Sequence, residues 1–192
     1  MRTGKVYYEA TLSMPGQRPQ LGWAVAAKFV PADGVGVGDD ALSWACDGVR
    51  GALRHGGQSR AWSDRWTAGD VIGCAADLEA GSLWFGLNGE WTEAADFTGC
   101  DFRAGGLFPA FSGCNLLIEL HLGDELMLYN GPDESFQPLL SHPLVRGFTE
   151  EEAPFPRLLD PNPKPAAFHT EREALGERWR SGARSERMVV NL

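Results

Sequence analysis

Residues 77–89 read DLEAGSLWFGLNG, between GDVIG at 69–73 and LFPAFS at 107–112. Apolar or alternating runs bounded by Gly, Asp and Asn are typical of short β-strands. Asn88 and Gly89 separate two such runs, and both central positions of a type I′ turn need a positive φ that Asn and Gly tolerate. These residues therefore predict a β-hairpin, with further strands on either side of it.

Runs of the same character recur along the first two thirds of the chain. They lie at 5–12, 20–27, 41–46, 51–54, 70–78, 82–87, 107–112 and 115–122. In the last run Glu119 and His121 alternate with leucines, which predicts a half-buried strand with a wet outer face. Many short strands separated by turn residues predict an all-β fold, an antiparallel sandwich or barrel.

The residues after Gly123 have a different character. Eight prolines between positions 132 and 165 interrupt every periodic pattern, so this stretch is expected to run irregularly over the surface. Thr170 and Glu173 form a capping box, and Leu175 and Trp179 lie four residues apart, which predicts a short helix over 170–181. We expect one domain over 4–123 and a Pro-rich C-terminal extension over 124–192.

Composition and charge exclude several classes of function. The chain has 192 residues, of which 43% are hydrophobic and 22% charged, as in a soluble globular protein. Its net charge of −9 argues against binding to nucleic acid or an anionic membrane, and favours a partner of basic character. No apolar run approaches the roughly 18 residues of a membrane helix and no secretory signal is visible, so we expect a cytoplasmic protein without membrane insertion.

The cysteines and the Gly-rich stretch do not predict a redox, metal or phosphate-binding site. The four cysteines are widely spaced without a Cys-x-x-Cys pattern, so they are expected to be free thiols that serve packing. Residues 34–38 are rich in Gly, but they lack the G-x-G-x-x-G spacing, and Asp39 and Asp40 would repel a phosphate. A flexible loop between strands is the favoured interpretation, and no cofactor is expected.

Acidic residues suggest two further kinds of site, neither of them favoured. Asp39, Asp40, Asp47 and Asp124 could offer oxygen ligands to calcium, but they follow no EF-hand spacing. Glu119 and Asp124 resemble the carboxylate strand of sandwich-fold glycosidases, where paired carboxylates act as acid and nucleophile. An outward-facing polar strand explains Glu119 more simply. We therefore expect no metal site and no catalytic residue.

The tryptophans fall into two groups. Trp23, Trp44 and Trp84 lie within strand patterns and are expected in the core. Trp62 and Trp66 lie in a polar segment with interleaved arginines, and Trp and Arg are the residues most enriched at interface hot spots. The two therefore either contact a partner or fold back onto the sandwich.

Four phrases in fixed order, at 22–24, 69–73, 77–89 and 107–112, together resemble the SPRY domain family over about 4–123. The resemblance implies a concanavalin-like, curved antiparallel β-sandwich of SPRY type, without catalytic activity, that binds proteins through loops at one end. Residues 38–47 and 53–55 are similar to the SPRY and SOCS-box adaptors. The stretches at 34–40 and 106–109 are also similar to the SPRY domains of ryanodine receptors.

The departures from the adaptors bear on function. The adaptors carry an aromatic residue at the position of Arg54 and a Trp-Gly pair at the positions of Asn115 and Leu116, which help to form a peptide pocket. The C-terminal residues do not resemble a SOCS box, so the ubiquitin-ligase adaptor role of that subfamily is not expected. Because loops vary on a constant scaffold, the location is expected to survive as a binding surface for a different ligand.

The sequence thus predicts a non-catalytic, monomeric interaction module that binds a peptide or protein epitope through inter-strand loops. The candidate partner-binding residues are Arg54, Arg60, Trp62, Gly113, Cys114 and Asn115. Two alternatives are a fixed structural SPRY domain of a larger assembly, such as a ryanodine-receptor-like channel, and a lectin-like module. The lectin-like module would use Trp62 or Trp91 beside Asp64 to stack on a sugar.

Overall fold

The computed structural model describes residues 4–25, 35–102, 106–123, 127–141 and 187–191, the last of these by backbone alone. The strands are β1 (Lys5–Met14), β2 (Gln17–Val25), β3 (Ser43–Asp47), β4 (Ala52–His55), β5 (Gln58–Ala61), β6 (Val71–Asp77), β7 (Ser82–Leu87), β8 (Glu90–Trp91), β9 (Leu107–Cys114), β10 (Leu117–His121), β11 (Gln137–Pro138) and β12 (Arg187–Asn191). A 3-10 helix spans Leu139–Ser141. In these ranges no helix has the length and apolar character needed to cross a bilayer.

The strands form two sheets whose inner faces enclose the core. Sheet A has the order β12-β10-β1-β6-β7-β8, with β11 pairing in parallel with β1, and sheet B has the order β5-β4-β3-β2-β9. Apart from β11, the paired strands are antiparallel. The predicted all-β antiparallel sandwich is confirmed.

Alternation along the strands places apolar side chains between the sheets. On β1 the inward residues Tyr8, Ala10 and Leu12 are completely buried. The Tyr8 ring meets Trp23 of sheet B edge to face, with the ring centroids 4.9 Å apart, and the Tyr8 hydroxyl donates to the Gly22 carbonyl at 2.5 Å. Large aromatic contacts of this kind help to fix how the two sheets pack on each other.

The hairpin predicted at Asn88 and Gly89 is present between β7 and β8, and both residues have positive φ, of 52° and 83°. The Asn88 side chain also ties the turn to β6: its Oδ1 accepts the Val71 N–H at 2.8 Å, and its Nδ2 donates to Asp70 at 2.9 Å.

The outer face of sheet A is not wet, so the prediction of a solvated face on β10 is wrong. His121 is 3% exposed, and its Nε2 lies 2.7 Å from the Thr11 hydroxyl. Burial lowers the pKa of His121. Glu9, opposite His121 on β1, is 1% exposed. Trp84 also differs from its prediction, because it lies half-buried on this outer face rather than in the main core.

Residues 127–141, called here the strap, cross the outer face of sheet A. The Glu9 carboxylate accepts the backbone N–H groups of Leu128 and Tyr129 at 2.7 and 3.0 Å. Phe136 packs against Tyr7 and, edge to face, against Trp84, with the Trp84 and Phe136 centroids 5.4 Å apart. The Pro-rich stretch therefore covers sheet A in this part. The helix predicted over 170–181 lies outside the described residues.

Candidate functional site

Residues 35–42, called here the cross-sheet segment, lie on the outer face of sheet B. The Val37 N–H donates to the Ser112 hydroxyl of β9 at 3.0 Å, and this hydroxyl donates to Gln20 Oε1 of β2 at 3.0 Å. Gly38 has a φ of 90°, and a Cβ there would lie 2.8 Å from the Arg54 carbonyl oxygen. The segment thus contacts strands on both sides of sheet B, and glycine permits its close approach to β4.

Arg54 of β4 holds the cross-sheet segment from the other side. Its guanidinium contacts Asp39 through Nη2 and through Nε, which lies 3.0 Å from Asp39 Oδ1. Its Nη1 lies 3.8 Å from Asp47, whose side chain is fully buried. Only 15% of the Arg54 side chain is exposed. Arg54 therefore serves mainly to hold the cross-sheet segment against β4, and little of its side chain is open to a partner. The Arg54–Asp39 contact is called here the pin.

Asp39 connects this pin to the segment backbone. Its second carboxylate oxygen accepts the Gly36 N–H at 2.8 Å. Desolvation alone would raise the pKa of Asp39, but the Gly36 hydrogen bond and the charge of Arg54 outweigh it, so the pKa lies below its ordinary value. An ionised Asp39 keeps the segment bound to β4 at neutral pH.

The remaining carboxylates weighed as calcium ligands are occupied by the protein itself. Asp40 accepts the Leu42 N–H at 2.7 Å and the Ser43 hydroxyl at 2.9 Å. Asp47 faces Arg50 at 2.6 Å as well as Arg54. Asp124 lies outside the described residues. Among the side chains the structure describes, no cluster of three or more His, Cys, Asp or Glu could hold a metal.

Residues 16–18 and 113–115, called here the rim, lie where the β1–β2 turn meets the β9–β10 turn. Gly16 of the first turn packs against the carbonyl groups of Cys114 and Asn115 in the second. Arg18 and Asn115 have positive φ values of 54° and 55°, and a β-bulge lies between Gln17 and Gln20. Positive φ is uncommon outside glycine, and such conformations concentrate at functional sites.

The six predicted partner-binding residues do not form one cluster. Gly113, Cys114 and Asn115 lie together at the rim, and the last two are exposed. Arg54 lies three strands away in sheet B, a lateral separation of about 14 Å. The cross-sheet segment bridges this gap, because it contacts both Arg54 and Ser112.

Arg60 and Trp62 form a third group, which closes one edge of the sandwich. Arg60 contacts the Asp96 carbonyl, and its guanidinium lies 5.4 Å from the Phe97 ring centroid. Trp62 is half-buried, with its ring edge-on to Phe85 and the centroids 6.3 Å apart. Trp66 is buried against Gly48. Both tryptophans therefore pack back onto the sandwich, as the second of the two alternatives predicted.

Arg18 is the rim residue that the sequence analysis did not select. The signal for it was weak, since it lies in a Pro-Gly-Gln-Arg-Pro run that indicates only a turn.

The structure also shows where Trp91 of the sugar-binding alternative and Glu119 of the enzymatic alternative lie. One face of the Trp91 ring lies on Gly73 and Gly86. The Trp91 Nε1–H donates to the Asn130 carbonyl at 3.0 Å. Glu119 is partly buried opposite Thr11 on the outer face of sheet A, and its proposed partner Asp124 lies outside the described residues.

Comparison with known proteins identifies two similarities. The SPRY domain family matches residues 5–122 of the chain. The chain is 39% identical over 162 residues to the E3 ubiquitin-protein ligase RKP of Arabidopsis thaliana. This alignment covers 82% of the chain and 12% of that relative. The chain thus spans only a small part of the length of that relative.

Proposed function

Because the chain belongs to the SPRY domain family, whose members are generally protein-interaction modules, we propose that it is a non-catalytic module that binds a peptide or protein epitope at the cross-sheet segment and the adjoining rim. The observation that carries this proposal is that the cross-sheet segment is held at two points, at Asp39 by Arg54 of β4 and at Val37 by Ser112 of β9. A loop surface that is already ordered loses little conformational freedom when a partner binds.

The side chains around this surface offer both apolar and polar contacts. Val35 of the cross-sheet segment and Met14 at the end of β1 are 43% and 45% exposed. Arg18, Cys114 and Asn115 of the two turns are also exposed. An apolar contact flanked by hydrogen-bonding groups suits a short peptide or a protein loop. The net charge of −9 favours a partner of basic character, which it would attract before contact.

The long relative suggests the setting in which such a module acts. That relative is named as an E3 ubiquitin-protein ligase, and the matched segment is 12% of its length. We infer that the corresponding segment recognises a protein while the ligase chemistry lies elsewhere in such a chain. A fixed structural contact within a larger assembly is the alternative, and it predicts no affinity for free peptides.

The thiols support a reducing, cytoplasmic setting. Cys46 and Cys74 are buried and free, and burial raises the pKa of Cys100 to about 11. Disulfides form and persist mainly in oxidising compartments. We further propose that the isolated domain is a monomer.

The test is selection of peptides from a random library displayed on phage, with the chain as bait. Synthetic versions of enriched peptides are then titrated against wild type and an Arg18→Gly/Asn115→Gly double variant. Glycine keeps the positive φ at both positions and removes the side chains, so the fold is preserved. We expect affinity to fall by about tenfold or more in the double variant.

Glu79→Ala, at an exposed position in the β6–β7 turn, is the matched control and should leave affinity unchanged. Equal binding to wild type and the double variant would exclude the rim as the contact surface.

A further inference from the structure

A groove of about 600 Å³ lies at the strap, against the outer face of sheet A. Its floor is formed by Tyr7 of β1 and by Phe136 and Pro138 of the strap. This volume falls within the usual range for binding clefts, roughly 300–1,000 Å³. The groove belongs to the sheet opposite the cross-sheet segment, so it is a separate surface from the one proposed above.

The floor of the groove is apolar and tightly packed. Tyr7 and Phe136 are 5% and 6% exposed. Gly131 allows the strap backbone to approach them, because a Cβ there would lie 2.8 Å from the Phe136 Cβ and 3.2 Å from the Tyr7 ring. These aromatic side chains are covered and give the groove a rigid floor, so the apolar surface open to a ligand is that of Leu128, which is 55% exposed.

The strap is held at several points, so the groove is already formed. Its backbone donates twice to the Glu9 carboxylate. Its Asn130 carbonyl accepts the Trp91 Nε1–H, and the Tyr129 ring lies on Gly89 of the β7–β8 hairpin. A pre-formed groove avoids the ordering cost that a mobile loop would impose on binding.

The upper edge of the groove is acidic on one side and apolar on the other. Asp133 and Glu134 line it and are exposed. Asp133 accepts the hydroxyl and the N–H of Ser135, which fixes its carboxylate in a turn and lowers its pKa. Leu128, also lining the groove, is 55% exposed.

We propose that the strap groove binds a linear peptide segment of a partner protein, one that carries an apolar side chain next to a Lys or Arg. The apolar side chain packs against Leu128 above the Tyr7 and Phe136 floor, and the cation lies beside Asp133 and Glu134.

Charge complementarity favours this occupant, because two carboxylates line the groove, Asp133 and Glu134, and the chain carries a net charge of −9. One cation, Lys5, lies nearby with its Nζ 5.3 Å from the Phe136 ring centroid, and it leaves the carboxylates in excess.

The experiment removes the first surface in order to isolate the second. The Arg18→Gly/Asn115→Gly chain serves as bait for a random heptapeptide library on phage. Enriched peptides are synthesised and titrated by fluorescence anisotropy against this bait and against the same bait with Glu134→Lys or Leu128→Ser. We expect enriched peptides to share an apolar residue next to Lys or Arg, and each added substitution to weaken binding by about tenfold or more.

Asp64→Lys and Val49→Ser are the matched controls, since they make comparable changes at exposed positions on sheet B loops. They should leave affinity within about twofold. The proposal is overturned by no enrichment, by enriched peptides without the apolar and basic pair, or by equal losses in the controls. It is also overturned if sedimentation shows a dimer that Leu128→Ser dissociates, because a second copy would then occupy the groove.

Discussion

At the scale of single residues, two buried carboxyl groups mark the two outer faces of the sandwich. Asp47 on sheet B is fully buried and faces the guanidinium groups of Arg50 and Arg54. Glu9 on sheet A is 1% exposed and accepts two backbone N–H groups of the strap. Asp47 also accepts the backbone N–H groups of Val49 and Arg50, so it is stabilised by full charges as well as by dipoles. Glu9 is held by backbone dipoles, so the two sites are expected to respond differently to substitution and to pH.

Removal of Arg54 tests the charged site. Arg54→Ala removes the cation that faces Asp39 and leaves Arg50 as the cation that faces Asp47. Loss of one partner of a largely buried ion pair is destabilising, and we expect the free energy of unfolding in urea to fall by about 2–3 kcal/mol.

The control for this prediction is Arg65→Ala, at an exposed position, which should change stability by less than about 0.5 kcal/mol. A similar, small effect of both substitutions would show that the pin does not stabilise the cross-sheet segment.

Glu9 gives a prediction for pH. Burial raises the pKa of Glu9 above its ordinary value of 4.5, although the Leu128 and Tyr129 N–H groups partly offset this. An acid whose pKa is raised on folding contributes stability below its unfolded pKa and loses that contribution as pH rises through its folded pKa. Glu9→Gln cannot titrate, so wild type should lose stability relative to Glu9→Gln as pH is raised above 4.5.

The measurement is urea unfolding of both proteins at a series of pH values from about 4 to 8. The exposed Glu79→Gln variant is the control. If the free energy of unfolding of wild type instead rose relative to that of Glu9→Gln as pH increased, the prediction would be wrong.

At the scale of elements, short-range patterns predicted the strands that line the core. β6 and β7 lie within one residue of their predicted bounds, since apolar runs and turn residues mark them directly. β5 was missed because three of its four residues are polar and all four are exposed, and it forms as an edge strand beside β4. Trp84 was assigned to the wrong face, because alternation does not distinguish two faces that are both covered.

The β7–β8 hairpin provides a prediction with two separable parts. Asn88→Gly keeps the positive φ but removes the hydrogen bonds to Val71 and Asp70, and should cost about 1 kcal/mol of unfolding free energy. Asn88→Ala removes the same bonds and also places at positive φ a residue with a Cβ but without the polar side chain that lets Asn adopt this conformation, which adds about 1 kcal/mol relative to glycine. Urea unfolding of the three proteins should rank them wild type, Gly, Ala. An alanine variant as stable as the glycine variant would show that the turn relaxes its backbone.

At the scale of the whole molecule, the sandwich and its family could be predicted from the sequence, whereas the shape of the candidate site could not. The phrases that identify the family are local and carry their own turn chemistry. The Arg54–Asp39 pin and the Glu9–strap contacts join residues 15 and about 120 positions apart, and no periodic pattern encodes such pairs. Of the residues at 113–115, Cys114 and Asn115 are exposed and Gly113 is half-buried, and their contact with a partner stays a prediction.

The indole of Trp91 offers a use beyond its packing. Its N–H is bonded to the strap, whereas the buried indole N–H groups of Trp23 and Trp66 have no hydrogen-bond partner among the described residues. Because an indole N–H only donates, its magnetic environment depends on whether an acceptor is in place. The proton resonance of the Trp91 N–H therefore serves as a native spectroscopic reporter of the strap, and occupancy of that face can be followed in solution without attaching a label.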